Sequence, residues 1–76
     1  MRDERHYRRM LDENPHATIN VPLAASMVYA ARHGICEPAD RGEEWAGLVR
    51  QFKATYGENL DAEQIRQEMD RAHDQA

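Results

Sequence analysis

The sequence predicts a small all-α domain built from four short helices. Apolar residues recur at helical spacing, capping residues precede the segments, and glycine or proline follows them. The predicted helices cover approximately residues 3–13, 21–33, 41–56 and 62–74, with short loops between them. We therefore expect residues 1–76 to form one helical domain with a modest hydrophobic core.

The first predicted helix carries a narrow apolar stripe and many charges. Its apolar side chains are those of Tyr7, Met10 and Leu11, at positions i, i+3 and i+4. Glu4–Arg8 and Arg9–Glu13 have the spacing of favourable ion pairs. The helix is expected to end before Pro15, because a residue that precedes proline avoids the helical conformation. With so thin a stripe, this helix is the one whose packing the sequence predicts least well.

Residues 16–19 are expected to be extended or irregular. A short strand is the alternative, but no other segment has an evident pattern for pairing with it. The second helix follows, with Asn20 as its N-cap and Gly34 as the left-handed residue that ends it. This helix is apolar on nearly all sides and rich in alanine. Such a helix belongs in the middle of a bundle, where alanines allow close approach of its neighbours.

The third helix has the strongest periodic pattern in the chain. Asp40 and Glu43 resemble a capping box at its start, and Gly57 follows its end. Its apolar stripe consists of Trp45, Leu48, Val49, Phe52 and Tyr56. Residues outside the stripe are expected to face water; they are Arg50, Gln51, Lys53 and Thr55.

The fourth helix has a thin stripe of Ile65, Met69 and Ala72 on an otherwise charged segment. Asp61 is its expected N-cap, and Leu60 and Ile65 are spaced as a hydrophobic staple. The pattern predicts a helix that lies on the surface and is anchored by few side chains.

The charge balance argues against nonspecific binding to nucleic acid. Residues 1–36 contain five arginines and four acids, whereas residues 37–76 contain five basic residues and ten acids. The resulting charges are +1 and −5, and nucleic-acid binding normally needs a basic face.

Composition also bears on location. The longest nearly apolar run, residues 21–31, is too short to span a bilayer, so no membrane association is expected. The first residues lack the apolar segment of a signal peptide. Cys36 is the only cysteine, which excludes an intramolecular disulfide and is typical of the reducing cytoplasm.

No residue pattern supports a catalytic, cofactor or metal site. His33 and Cys36 have ligand-like spacing, but structural zinc needs four ligands and no second close pair exists. An exposed His33 and a half-buried Cys36 explain the pair more simply. Cys36 also lacks the signatures of cysteine enzymes, and the neighbouring Glu37 would raise the thiol pKa. We therefore expect no enzymatic activity and no cofactor.

A DNA-binding helix-turn-helix fits the sequence poorly. About seven residues join the second and third helices, more than the usual turn of that motif. The third helix would be the reading helix, and its first turn contains Glu43 and Glu44, which phosphate would repel.

Two groups of side chains are candidates for contacting a partner. The first is the arginine cluster of the first helix, formed by Arg2, Arg5, Arg8 and Arg9. The second lies on the flank of the second helix and is formed by Tyr29, Arg32 and His33. Tyrosine and arginine are enriched in interface hot spots, and His33 lies next to them. The alternative to a partner-binding role for the arginines is a solvated helix whose arginines pair with the acids between them.

The sequence thus favours a small non-enzymatic module that contacts another protein. It would act as an adaptor, inhibitor or regulator, of the kind that phages and mobile elements encode. A homodimer is one form that the partnership could take. The alternative from another class is a dimeric DNA-binding regulator that uses the arginines of the first helix.

Overall fold

The computed structural model describes residues 3–74, and the predicted four-helix fold class is confirmed. The helices are α1 (Glu4–Glu13), α2 (Val21–His33), α3 (Glu43–Tyr56) and α4 (Ala62–Asp74). Two short strands, β1 (Thr18–Asn20) and β2 (Asn59–Asp61), precede α2 and α4, and a 3₁₀ turn (Pro38–Asp40) lies before α3. No helix within residues 3–74 is long and apolar enough to cross a membrane.

The ends of α1 and α2 follow from their capping residues. The Asp3 carboxylate accepts a hydrogen bond from the His6 backbone N–H at 2.8 Å. Asn20 caps α2 in the same way, since its side-chain oxygen accepts from the Leu23 N–H at 3.0 Å. Gly34 ends α2 with a φ of 90°, as a left-handed terminating residue does. These bonds satisfy backbone groups that have no partner inside the helix.

Helix α2 is the central element of the bundle, as its apolar composition predicts. It packs most extensively against α4 and then against α3, with a smaller contact to α1. Eight of its residues are buried, and they include Val21, Ala24, Ala25, Met27 and Ala30, each with no exposed surface. Small side chains on α2 let the three other helices share one core.

The two strands correct the expectation that residues 16–19 have no pairing partner. β1 and β2 form an antiparallel pair in which Ile19 lies opposite Leu60, and both side chains are buried. Next to this ladder, the Val21 backbone N–H donates a further hydrogen bond to the Glu58 carbonyl at 3.0 Å. This pair joins the segments that lead into α2 and α4, and so it fixes where those two helices begin.

The start of α3 also differs from the prediction. The helix begins at Glu43 with Gly42 as its N-cap, about two residues later than expected. Asp40 does not cap it, because the Asp40 carboxylate accepts from the Glu37 backbone N–H at 2.8 Å and closes the preceding 3₁₀ turn. Pro38 favours that separate turn, since its fixed φ suits a first helical position.

Helix α4 is a core element, and the prediction that it is thinly anchored is wrong. Ile65 and Met69 have no exposed surface, as their stripe predicts, and Ala62 and Ala72 are buried beside them. Glu68 is buried as well and widens the inward face. Helix α1 also packs onto the bundle, through Tyr7 and Leu11, which are 2% and 1% exposed.

Candidate functional site

The most distinctive polar surface lies on the outer side of α1. Arg5, His6 and Arg9 are exposed there, and together we call them the basic face. With Asp3 they line an open depression of about 320 Å³. A depression of this volume has room for a side chain from another molecule.

Helical geometry explains why these residues point outward. Tyr7 and Leu11 are four residues apart and occupy the buried side of α1. Arg5 and Arg9 are also four residues apart, and the two pairs fall on opposite sides of a helix with 3.6 residues per turn. The apolar stripe therefore determines the direction of the basic face.

The two arginines of this face differ from most other arginines in the described part of the chain. Neither Arg5 nor Arg9 has a hydrogen bond or ion pair with any residue in 3–74. In particular, the predicted Arg9–Glu13 ion pair does not form. Five other arginines each contact a carboxylate within 4.0 Å; they are Arg8, Arg32, Arg50, Arg66 and Arg71. Arg2, the remaining member of the predicted cluster, lies outside the described residues.

Arg8 belongs to the contact between α1 and α4 and not to the basic face. Its guanidinium donates to Glu4 and to Asp70, at 2.9 Å in each case. Burial acts to lower the pKa of Arg8, but the two carboxylates outweigh it and raise that pKa above its ordinary value. Arg8 is therefore held in place as a cation by its own chain, which leaves it less available to a partner than Arg5 or Arg9.

The predicted group on the flank of α2 comes together around Glu44 of α3. His33 Nε2 lies 2.6 Å from the Glu44 carboxylate, and Arg32 lies 3.6 Å from the same oxygen. The hydrogen bond with His33, helped by the charge of Arg32, lowers the pKa of Glu44 despite partial burial. Tyr29 is half-buried, and its ring centroid lies 4.4 Å from that of His33. This group joins α2 to α3 through the contacts that the side chains of Arg32 and His33 make with Glu44.

Cys36 lies in the core of the described structure. It is 3% exposed, so it is more deeply buried than expected. Burial is the main reason why its pKa is raised, and Glu37 adds to the effect as the sequence predicts. Within residues 3–74, no group of three or more His, Cys, Asp or Glu side chains is placed to hold a metal ion.

A polar cluster around the buried Glu68 was missed by the sequence analysis. The Glu68 carboxylate accepts from the Tyr56 hydroxyl at 2.9 Å and from Arg71 at 2.8 Å. It borders a cavity of about 30 Å³ that is also lined by Val28, Leu48 and Phe52. That volume holds about one water molecule. The available signal was the position of Glu68, three residues from Ile65 on the inward side of α4.

Comparisons of the chain with protein-family models, with curated proteins and with solved structures find no match.

Proposed function

We propose that the protein is a non-enzymatic interaction module whose basic face, formed by Arg5, His6 and Arg9, binds an acidic protein surface. It would act by contact alone, as an adaptor, inhibitor or regulator in the cytoplasm. The observation that carries this proposal is that neither Arg5 nor Arg9 has an ion pair within residues 3–74, whereas five other arginines there contact carboxylates. Two guanidinium groups exposed on one helix face can each form a bidentate bond with a carboxylate.

The surroundings of the basic face support a protein partner over nucleic acid. Arg8 is engaged by Glu4 and Asp70, so among residues 3–74 the face offers two arginines and not the larger cationic cluster that phosphate binding normally needs. The chain as a whole carries a net charge of −4, which would repel a polyanion over longer distances. An acidic protein surface presents fewer charges and can fit this small face. A dimeric DNA-binding regulator remains the alternative that the experiment must test.

Affinity capture with paired variants tests the proposal. The full chain and R5E/R9E would be used to capture proteins from source cells, and each captured protein would be purified and titrated against both by calorimetry. We expect a direct partner whose affinity falls at least about tenfold with R5E/R9E, as loss of charge-paired contacts predicts. The control is R50E/K53E, which makes the same charge change on exposed residues of α3.

Two results would count against this function. A purified partner that binds R5E/R9E as tightly as the unchanged chain would show that the basic face is not the contact surface. Titration of a labelled DNA duplex at low salt provides the second arm. Binding that depends on Arg5 and Arg9 and weakens steeply with added salt would favour the DNA-binding alternative.

A further inference from the structure

Helices α1 and α4 lie side by side and run in opposite directions. Two ion pairs and one hydrogen bond cross between them: Arg8–Asp70 at 2.9 Å, Asp12–Arg66 at 2.7 Å, and Glu4–His73 at 2.6 Å. Residue numbers rise along α1 as those of their partners fall along α4, which shows the antiparallel arrangement. The two helices therefore form a continuous outer layer of the molecule.

The outward sides of these two helices carry opposite charge. On α1 the outward side is the basic face. On α4 the side opposite the buried Ile65 and Met69 exposes three acids, which we call the acidic face: Glu63, Asp70 and Asp74. Arg71 is exposed on that side as well, but its guanidinium donates to the Glu68 carboxylate at 2.8 Å. Because the two charged faces lie side by side, the layer is complementary to a second copy of itself. A copy rotated by 180° can place its acidic face over the basic face of the first copy, and its basic face over the acidic face.

We propose that the acidic surface bound by the basic face is the α4 of a second copy of this chain. The two copies would pack their α1–α4 layers face to face, about a two-fold axis that runs parallel to the helices. Such a rotation exchanges the two sides of the layer and places α1 of each copy over α4 of the other. An axis across the helices would instead place α1 over α1, and Arg5 and Arg9 would meet arginines.

The same symmetry fixes the register of the contact. A two-fold axis along the helices leaves each residue at its own height. Glu4 pairs with His73 and Arg8 with Asp70 inside one chain, so Arg5 lies one to two residues from the height of the partner's Asp74, and Arg9 lies about one residue from that of the partner's Asp70. These offsets are about 1.5–3 Å along the helix, which an arginine side chain can span. The Asp70 side chain is 68% exposed and only its Oδ1 receives Arg8, so its second oxygen can accept Arg9.

Glu63 provides an internal contrast. Continuing the same register along α4 places Glu63 beyond Glu13, the last residue of α1. Glu63 therefore has no arginine opposite it in the dimer, although it belongs to the same acidic face. A substitution there changes the charge of α4 without touching the proposed contact.

This inference rests on the proposed function, since it identifies the acidic partner of the basic face. The contact is polar and exposed at its edges, so the dimer is expected to be weak and sensitive to salt. Sedimentation equilibrium of the full chain would be measured over a range of concentrations in about 20 mM and about 500 mM salt. At low salt the average mass should rise from 8.8 kDa towards twice that value, and at high salt it should return to 8.8 kDa.

Charge reversal tests the register. R5E and D74K should each weaken dimerisation at least about tenfold, and the combined variant R5E/D74K should restore it because the pair is re-formed with its charges exchanged. The matched control E63K should dimerise at least as well as the unchanged chain. Both R5E and D74K place a charge that suits the helix dipole at its end, so the fold should be retained, and circular dichroism would verify this.

Several outcomes would overturn the dimer. They are a chain that stays at 8.8 kDa at every concentration in low salt, a folded R5E/D74K that fails to associate, and an E63K variant as impaired as D74K. A monomeric chain would leave the proposed function standing if another acidic protein still binds through Arg5 and Arg9. Equal binding of that protein to R5E/R9E would remove the proposed function itself.

Discussion

The Trp45 indole N–H of α3 donates a hydrogen bond to the Ser26 hydroxyl of α2 over 3.0 Å. Ser26 is 1% exposed, and its hydroxyl in turn donates to the Pro22 carbonyl at 3.3 Å. The indole lies on the outer part of the core, where Arg41 covers its ring at 5.6 Å from the centroid. One serine on an alanine-rich helix therefore fixes the position of the only tryptophan.

Replacement of Ser26 with alanine should lower the free energy of unfolding by about 1–2 kcal/mol, because it leaves the indole N–H without its acceptor. Urea denaturation of S26A measures the loss. W45F removes the donor, and the double variant S26A/W45F should be less destabilised than the sum of the single variants. Additivity within about 0.5 kcal/mol would show that the hydrogen bond contributes no coupling.

Tyr56 should titrate above the ordinary range of a tyrosine. Burial is the main cause of its raised pKa, and the hydrogen bond to Glu68 adds to it, so the pKa lies above 10.0. The stabilisation linked to this proton is complete below the unfolded-state pKa, and it is lost as pH rises through the folded-state pKa. In E68Q the acceptor remains but the negative charge is gone, and the pKa of Tyr56 should fall.

NMR of the tyrosine ring carbons as a function of pH would resolve Tyr56 from the two other tyrosines. E63Q provides the control, since it removes an exposed carboxylate from the same helix. An unchanged Tyr56 titration in folded E68Q would show that the Glu68 charge does not act on the hydroxyl.

Two glycines should respond to alanine in opposite ways. Gly34 has a φ of +90°, and a Cβ there would meet no atom within 4 Å, so the backbone conformation alone makes alanine unfavourable. G34A should destabilise the protein by about 1–2 kcal/mol. Gly47 lies inside α3, where a Cβ would only contact Arg50 at 3.8 Å, and G47A should stabilise the protein by about 0.5–1 kcal/mol. Thermal and urea denaturation would measure both, and the same sign of change for the two variants would contradict this reasoning.

Local signals predicted most of the helical fold. The limits of α2 and α4 coincide with the predictions, because Asn20, Gly34 and Asp61 are capping or terminating residues whose partners lie within a few positions. The start of α3 was harder to predict, since Glu37 and Asp40 have the same spacing as Asp40 and Glu43. A proline after Glu37 favours the first arrangement, and the helix starts later.

The missed features depend on contacts between distant parts of the chain. Strands of three residues have too few positions to show alternation, so the pairing of Ile19 with Leu60 left no pattern in the sequence. The same holds for the candidate surface. Glu4–Arg8 and Arg9–Glu13 have the same spacing in the sequence, but within residues 3–74 only the first pair forms, and Asp70, 62 residues away along the chain, adds a second bond to Arg8.

The contact between α1 and α4 should make stability depend on pH in the acid range. Glu4 is the acid in this contact with two partners, since its carboxylate contacts His73 at 2.6 Å and Arg8 at 2.9 Å. Burial acts to raise the pKa of Glu4, but the two hydrogen bonds outweigh it and hold the pKa below 4.5. The stabilisation from Glu4 is therefore complete above its unfolded-state pKa and is lost as pH falls through its folded-state pKa.

Glu4→Gln should cost about 1 kcal/mol at neutral pH, as expected for a partly buried ion pair. The difference from the unchanged chain should disappear at a pH well below 4.5, where Glu4 is protonated in both states. Urea denaturation at several pH values measures this, with E58Q as a control because Glu58 is exposed and has no ion pair with residues 3–74. If E4Q and E58Q gave the same pH profile, the charges would contribute little to the attachment of α1. The buried Tyr7 and Leu11 would then hold the helix, and its basic face would keep its position at any pH.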